Sequence, residues 1–167
     1  MAITVRPFET RDTDQAKKIL LEDADQPDQA FELGWKGHPP TFPFFVAADE
    51  NGTVHGIVEG RFDSRYSERL RLREYTAPQG WIYTLAVRAD ERREGTGTAL
   101  IRHFVETAQS KGCGFVAFTV DESDDNQSIE GRMRFFQACG FHILVDDDRG
   151  SAMGAPVTDV LRALTAV

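Results

Sequence analysis

A chain of 167 residues, 41% hydrophobic and 28% charged, has room for one domain with a substantial core. It has no apolar run near the roughly 20 residues that cross a bilayer, and residues 1–6 carry no signal-peptide segment, so the expected compartment is the cytoplasm. A net charge of −8 disfavours nucleic acid as a partner and favours a cationic or amine ligand.

Ile3 to Pro7 reads as a first strand. Asp12, with Gln15 three residues on, resembles a capping box, and Ala16, Ile19 and Leu20 supply the apolar face of a first helix. A short second helix is expected from Asp28 to Gly34, then a loop from Trp35 to Pro43. Phe44 to Ala48 and Val54 to Phe62 form an antiparallel pair across Asp49-Glu50-Asn51-Gly52, which carries the Asn-Gly turn signal. Arg69 to Arg73 alternates with period two and suggests an extended, solvated segment.

Trp81 to Val87 is the next strand, and an amphipathic helix ends near Lys111, with Leu100, Ile101, Phe104, Val105 and Ala108 on one stripe. Gly112 stops it. Phe115 to Val120 is a continuous apolar run, the mark of a strand buried on both faces. A last helix with Ile129, Met133 and Phe136 on one side runs to about Cys139 and ends at Gly140. Phe141 to Val145 and Val157 to Leu164 read as closing strands. The order is β-α-α-β-β-β-α-β-α-β-β in a single domain over residues 1–167, with a parallel crossover between Trp81 and Val120.

Between that strand and its helix lies Arg92-Arg93-Glu94-Gly95-Thr96-Gly97-Thr98. A glycine-rich turn opening a helix presents unpaired N–H groups and the positive end of the helix dipole, which suits phosphate oxygens. A P-loop needs Lys and then Ser or Thr after its second Gly, but Thr98 and Ala99 follow Gly97. A dinucleotide fingerprint needs a third Gly where Leu100 stands. The spacing R-x-x-G-x-G on Arg92, Gly95 and Gly97 resembles the coenzyme A loop, Q/R-x-x-G-x-G/A, of the GCN5-related N-acetyltransferases. The element order is similar too, and Phe135-Phe136-Gln137-Ala138-Cys139-Gly140-Phe141 resembles that family's F-Y-x-x-x-G-F helix ending.

The resemblance implies an α/β fold (α+β by some schemes), a mixed central sheet flanked by helices of the acyl-CoA N-acyltransferase kind. It implies acyl transfer from acetyl-CoA to an amine of a small molecule or protein, with acetyl-CoA as cosubstrate and no metal. Pyrophosphate would lie on the N–H groups of Arg93, Glu94, Gly95, Thr96, Gly97 and Thr98, with Arg92 and Arg93 adding charge. The pantetheine arm would pair with Leu85, Ala86 and Val87, beside a gap that opens as the fourth strand leaves the fifth. Family members commonly carry an Asn after the fifth strand. Asn126 is the suitable residue, displaced because the linker is longer, with Asp124 nearer the usual offset. Homodimers are common in such folds.

The family often places a carboxylate on the fourth strand, but here Trp81, Tyr83, Leu85 and Val87 alternate with Ile82, Thr84 and Ala86. Tyr83 is the titratable side chain there. A phenol is a poor direct base at neutral pH, but it can orient an amine or relay a proton. Glu59, on the preceding strand, is the second catalytic candidate, its plainest reading being a solvent-facing strand residue. His55 follows a turn and His103 sits mid-helix, and both have less support. The family's usual acid, a Tyr four residues before the helix-ending Gly, is replaced by Phe136, which would still border the coenzyme. That replacement opens an alternative: an acyl-CoA-binding regulatory module with little turnover.

Calcium is rejected at Asp121-Glu122-Ser123-Asp124-Asp125-Asn126, because Asn126 stands where Gly is needed and Arg132 where a bidentate Glu is needed. Asp146-Asp147-Asp148 also lacks a closing Glu. Cys113 and Cys139 fit no metal or redox spacing and read as buried thiols. Acceptor choice falls to Ala24–Pro43 and Asp63–Gly80, whose Phe31, Trp35, Phe42, Tyr66 and Tyr75 are expected mostly to pack.

Overall fold

A computed structural model describes residues 2–37, 39–65, 78–91, 95–120, 129–147 and 150–165. Seven strands form one mixed sheet in the order β1-β2-β3-β4-β5-β7-β6. Two compact units divide the chain: Met1–Gly60 with Thr84–His103, and Arg61–Tyr83 with Phe104–Val167. Among the described residues no helix is long and apolar enough to cross a membrane.

In the first unit β1 (Ile3–Pro7) pairs antiparallel with β2 (Phe44–Asp49), and β2 with β3 (Val54–Ser64). Helix α1 (Thr13–Glu22) buries Ala16, Ile19 and Leu20 against Phe44, Val46, Val54, Ile57 and Ala86. Helix α2 (Pro27–Glu32) starts on its proline, whose missing N–H costs nothing at that position, and adds Ala30 to the same core. Each fully buried Ile or Leu contributes about 1.5–3 kcal/mol, so Ile19, Leu20 and Ile57 dominate this packing.

The start of α1 differs from the expected capping box. The buried Asp12 carboxylate accepts from Arg6 Nη1 and Nη2 at 2.7 and 2.9 Å and from Glu9 N–H at 2.8 Å. Burial pushes this carboxyl up, but the Arg6 hydrogen bonds and the Glu9 N–H outweigh it and hold it below the ordinary range. Gln15 reaches instead to the β2–β3 hairpin, donating to Gly52 C=O at 3.1 Å and accepting from Val54 N–H at 2.8 Å. Gly52 has φ +81°, as the Asn-Gly signal requires.

In the second unit the first part of β4 (Gln79–Val87), up to Tyr83, pairs in parallel with β5 (Phe115–Val120) at Gly80↔Val116 and Trp81↔Ala117. Between them runs α3 (Thr96–Ser110), so the expected parallel crossover is present. Trp81, Phe115, Ala117 and Ala152 form a core, with Tyr83, Leu144 and Val145 packed on it. Helix α4 (Ile129–Ala138) places Phe136 4.4 Å from Phe118, ring centre to ring centre. Gly140 (φ +98°) ends that turn, where a Cβ would lie 2.9 Å from Ala163 Cβ. Cys113 and Cys139 are both buried free thiols.

The last strand lies earlier than the sequence pattern suggests. β6 (His142–Asp147) pairs with β7 (Gly150–Pro156), and β7 pairs with β5, while Val157–Thr165 is a helix, α5. Val157, Val160 and Leu164 are buried at helical spacing, with Asp159 in the first turn and Arg162 in the last. β7 has no β-branched residue, and at Gly154 space forbids any side chain: a Cβ there would stand 2.6 Å from the Phe115 ring and 3.0 Å from Val116 O. Arg69–Arg73 lies outside the described residues.

Candidate functional site

Helix α3 opens as the glycines require. Gly95 has φ +82°, and its carbonyl accepts from Ala99 N–H at 3.0 Å, the start of the helical ladder. The N–H groups of Thr96, Gly97 and Thr98 therefore stand ahead of that ladder, at the positive end of a 15-residue helix. Thr96 is 2% exposed, and its Oγ1 has no hydrogen-bond partner among the described residues. A buried hydroxyl left unpaired costs about 1–3 kcal/mol, so a polar ligand atom there recovers that cost. Arg92, Arg93, Glu94 and Asn126 lie outside the described residues.

In the first unit Glu59 is not solvent-facing. It is 9% exposed, and its carboxylate has no hydrogen bond or ion pair among the described residues. Burial, with the like charge of Glu32, raises its pKa to about 7. α2 covers this face of the unit, where Thr84 Oγ1 donates to Gln29 Oε1 at 3.0 Å. A carboxylate poised near neutrality without a partner is suited to take a proton from an ammonium. Its period-two neighbours on β3 hide it from sequence analysis, since His55, Glu59 and Arg61 mix with Ile57 on one alternation. Phe31 (63% exposed) and Trp35 (49%) do not pack away; their rings stack at 4.8 Å.

On β4, Thr84 and Ala86 are buried, and Leu85 and Val87 are half-buried. Tyr83 belongs to the second unit, where Arg61 donates to its phenol oxygen. The Arg61 guanidinium also donates to Asp63 at 2.5 Å, and these two hydrogen bonds hold it above the ordinary arginine range. A phenol oxygen used as acceptor leaves its own O–H to donate. Phe136 is half-buried among Phe118, Phe135 and Phe141. His103 packs against the Phe45 ring at 4.8 Å. Sequence patterning undervalued His55, which is buried with Asp49 Oδ2 at 2.9 Å and Glu91 Oε1 at 3.2 Å. The available signal was a histidine and an aspartate bracketing one tight turn.

Comparison with known proteins identifies the family and the fold. Residues 8–141 match the model of the acetyltransferase (GNAT) family. No curated protein sequence matches significantly. The ribosomal-protein-S18-alanine N-acetyltransferase of Escherichia coli shares the fold at TM-score 0.64 and 16% identity, over 93% of this chain and 94% of that one. Ard1 from Thermoplasma volcanium does so at 0.62 and 22%, over 93% and 98%. An aminoglycoside 6'-N-acetyltransferase complexed with coenzyme A does so at 0.66 and 15%, over 92% and 97%. With the family model spanning most of its length, the chain belongs to the GNAT acetyltransferase family and is an acyltransferase.

Proposed function

We propose that this protein moves an acetyl or related acyl group from acetyl-CoA directly to an amine of a small molecule or protein. The observation that carries the reading is Glu59: a buried carboxylate, unpaired among the described residues, with a pKa of about 7 beside a second acid, Glu32. An acceptor amine arrives as an ammonium, which two acids attract. Glu59 takes its proton, the free amine attacks the thioester carbonyl, and the coenzyme A thiolate leaves. The second proton of the attacking nitrogen passes through water to the thiolate, leaving a neutral amide and a free thiol. Residues 92–98 hold the pyrophosphate, Leu85, Ala86 and Val87 pair with the pantetheine arm, and Asn126 contacts it.

The test is calorimetric binding of acetyl-CoA, followed by thiol release with a panel of amines. Binding and amine-dependent release are expected, and no binding at high micromolar acetyl-CoA overturns the reading. Thr96→Val sharpens it. The apo protein should gain about 1 kcal/mol in denaturant unfolding, because an unpaired buried hydroxyl is removed. Acetyl-CoA affinity should fall in the same variant. Gain without loss of affinity would assign Thr96 no part in binding the donor.

Phe136 favours a second reading, an acyl-CoA-binding regulatory module, since its ring is committed to an aromatic cluster where the family's acid would stand. Tight acetyl-CoA binding with no release on any amine would select that module. For an enzyme, Phe136→Tyr should raise turnover. The gain stays below the roughly 10²-fold typical of a positioned acid, because a coenzyme A thiolate leaves readily.

A further inference from the structure

The short 3-10 turn Ala89–Glu91 stands directly before Arg92, and it and Arg88 meet two residues of the first unit, His55 and Asp23. Arg88 N–H donates to His55 C=O at 2.9 Å. Ala89 N–H donates to Asp23 Oδ1, just past α1, at 3.1 Å. Glu91 Oε1 lies 3.2 Å from His55 Nδ1. On its other side the imidazole meets Asp49 Oδ2 through Nε2 at 2.9 Å. The ring is 2% exposed, and the Asp49 carboxylate also accepts from Asn51 and Thr53 N–H at 2.9 and 3.0 Å.

A carboxylate can only accept, so Asp49 requires a proton on Nε2. Nδ1 faces Glu91 Oε1 across a 3.2 Å ion-pair contact and has no hydrogen-bond partner among the described residues. The next residue, Gly56, faces the end of β4 and the start of α3. A Cβ there would lie 2.9 Å from Leu100 Cδ1, 3.0 Å from Ala86 O and 3.2 Å from Thr96 Cγ2. Two consecutive residues of β3 therefore lie close to the turn before residues 92–94 and to the start of α3.

We propose that His55, braced by Asp49, is a positioning residue that acts through Glu91 to fix the entry of the donor-binding loop against the first turn of α3. The inference rests on the assignment of residues 92–98 to coenzyme binding. It makes His55 a determinant of donor affinity that never touches the donor's reacting atoms.

The test is steady-state kinetics of Glu91→Gln with acetyl-CoA and amine varied separately, alongside calorimetric acetyl-CoA binding and a melting temperature. Acetyl-CoA KM and Kd should rise about tenfold, with kcat and amine KM within twofold of the parent and little change in melting temperature. His55→Asn should show the same split, and the double variant should be no worse than either single one. If His55→Asn fails to fold, Glu91→Gln alone decides. Unchanged donor affinity, or a uniform fall in kcat and in both affinities with loss of melting temperature, overturns the positioning role while leaving the acetyltransferase reading intact. A parent protein that binds no acetyl-CoA overturns both.

Discussion

Glu59→Gln should abolish amine-dependent thiol release and at the same time raise the melting temperature above neutral pH. Loss of a general base costs roughly 10²–10⁴ in rate, and the amide cannot replace it. The stability gain follows from the same burial. In the folded protein the carboxyl holds its proton up to about pH 7, against an ordinary value of 4.5. Between those values the unfolded chain has released a proton that the folded chain keeps, so stability falls as pH rises through that window and stays reduced above it. The shift corresponds to an upper bound of about 3 kcal/mol. An amide in the same site also wants hydrogen bonds, so about 2 kcal/mol, or several degrees in a chain of this size, is the expected gain at pH 8. At pH 4 the parent carboxyl is neutral in both states, and the difference should nearly vanish. The parent's kcat/KM should climb with pH to a plateau, with an apparent pKa near 7. A melting difference equal at pH 4 and pH 8 would show that Glu59 titrates as it would in water.

Where the sequence was legible, a strong local period or a residue with one conformational use carried the message. α3 shows its stripe of Leu100, Ile101, Phe104, Val105 and Ala108, all fully buried, and β5 is the apolar run it looks like. Gly95, Gly112 and Gly140 all sit at positive φ where a helix starts or stops. Where the sequence misled, a tertiary contact overrode the local signal. β7 holds a glycine at 154 because Phe115 and Leu144 leave no room there, and the strand has no β-branched residue to mark it. Val157, Val160 and Leu164 carry the i, i+3, i+7 spacing of a helix, which the strand expectation overlooked. Asp12 and Gln15 have the spacing of a cap, but Arg6 and the β2–β3 hairpin claim their side chains. The loop glycines were visible as a motif, whereas the states of Glu59 and His55 depend on what α2 and the turn Ala89–Glu91 bring to them. No spacing rule records that.

Gly97→Trp should weaken acetyl-CoA binding more than 100-fold while leaving the fold intact. Gly97 is the second residue of α3, in a turn whose N–H groups precede the helical ladder. A glycine inside a helix costs about 1 kcal/mol relative to alanine, so its presence calls for a compensating use. Close approach of a diphosphate to the N–H groups of Thr96, Gly97 and Thr98 is such a use. An indole there would cover those donors with an apolar plate. The position is half-buried in the first turn, outside both core clusters, so the melting temperature should move by no more than a few degrees. Gly97→Ala separates the two effects. It should add up to about 1 kcal/mol of stability, and it should keep acetyl-CoA binding because a methyl group leaves the N–H groups accessible. Parent-like affinity in a folded Gly97→Trp protein would place the diphosphate elsewhere on the chain.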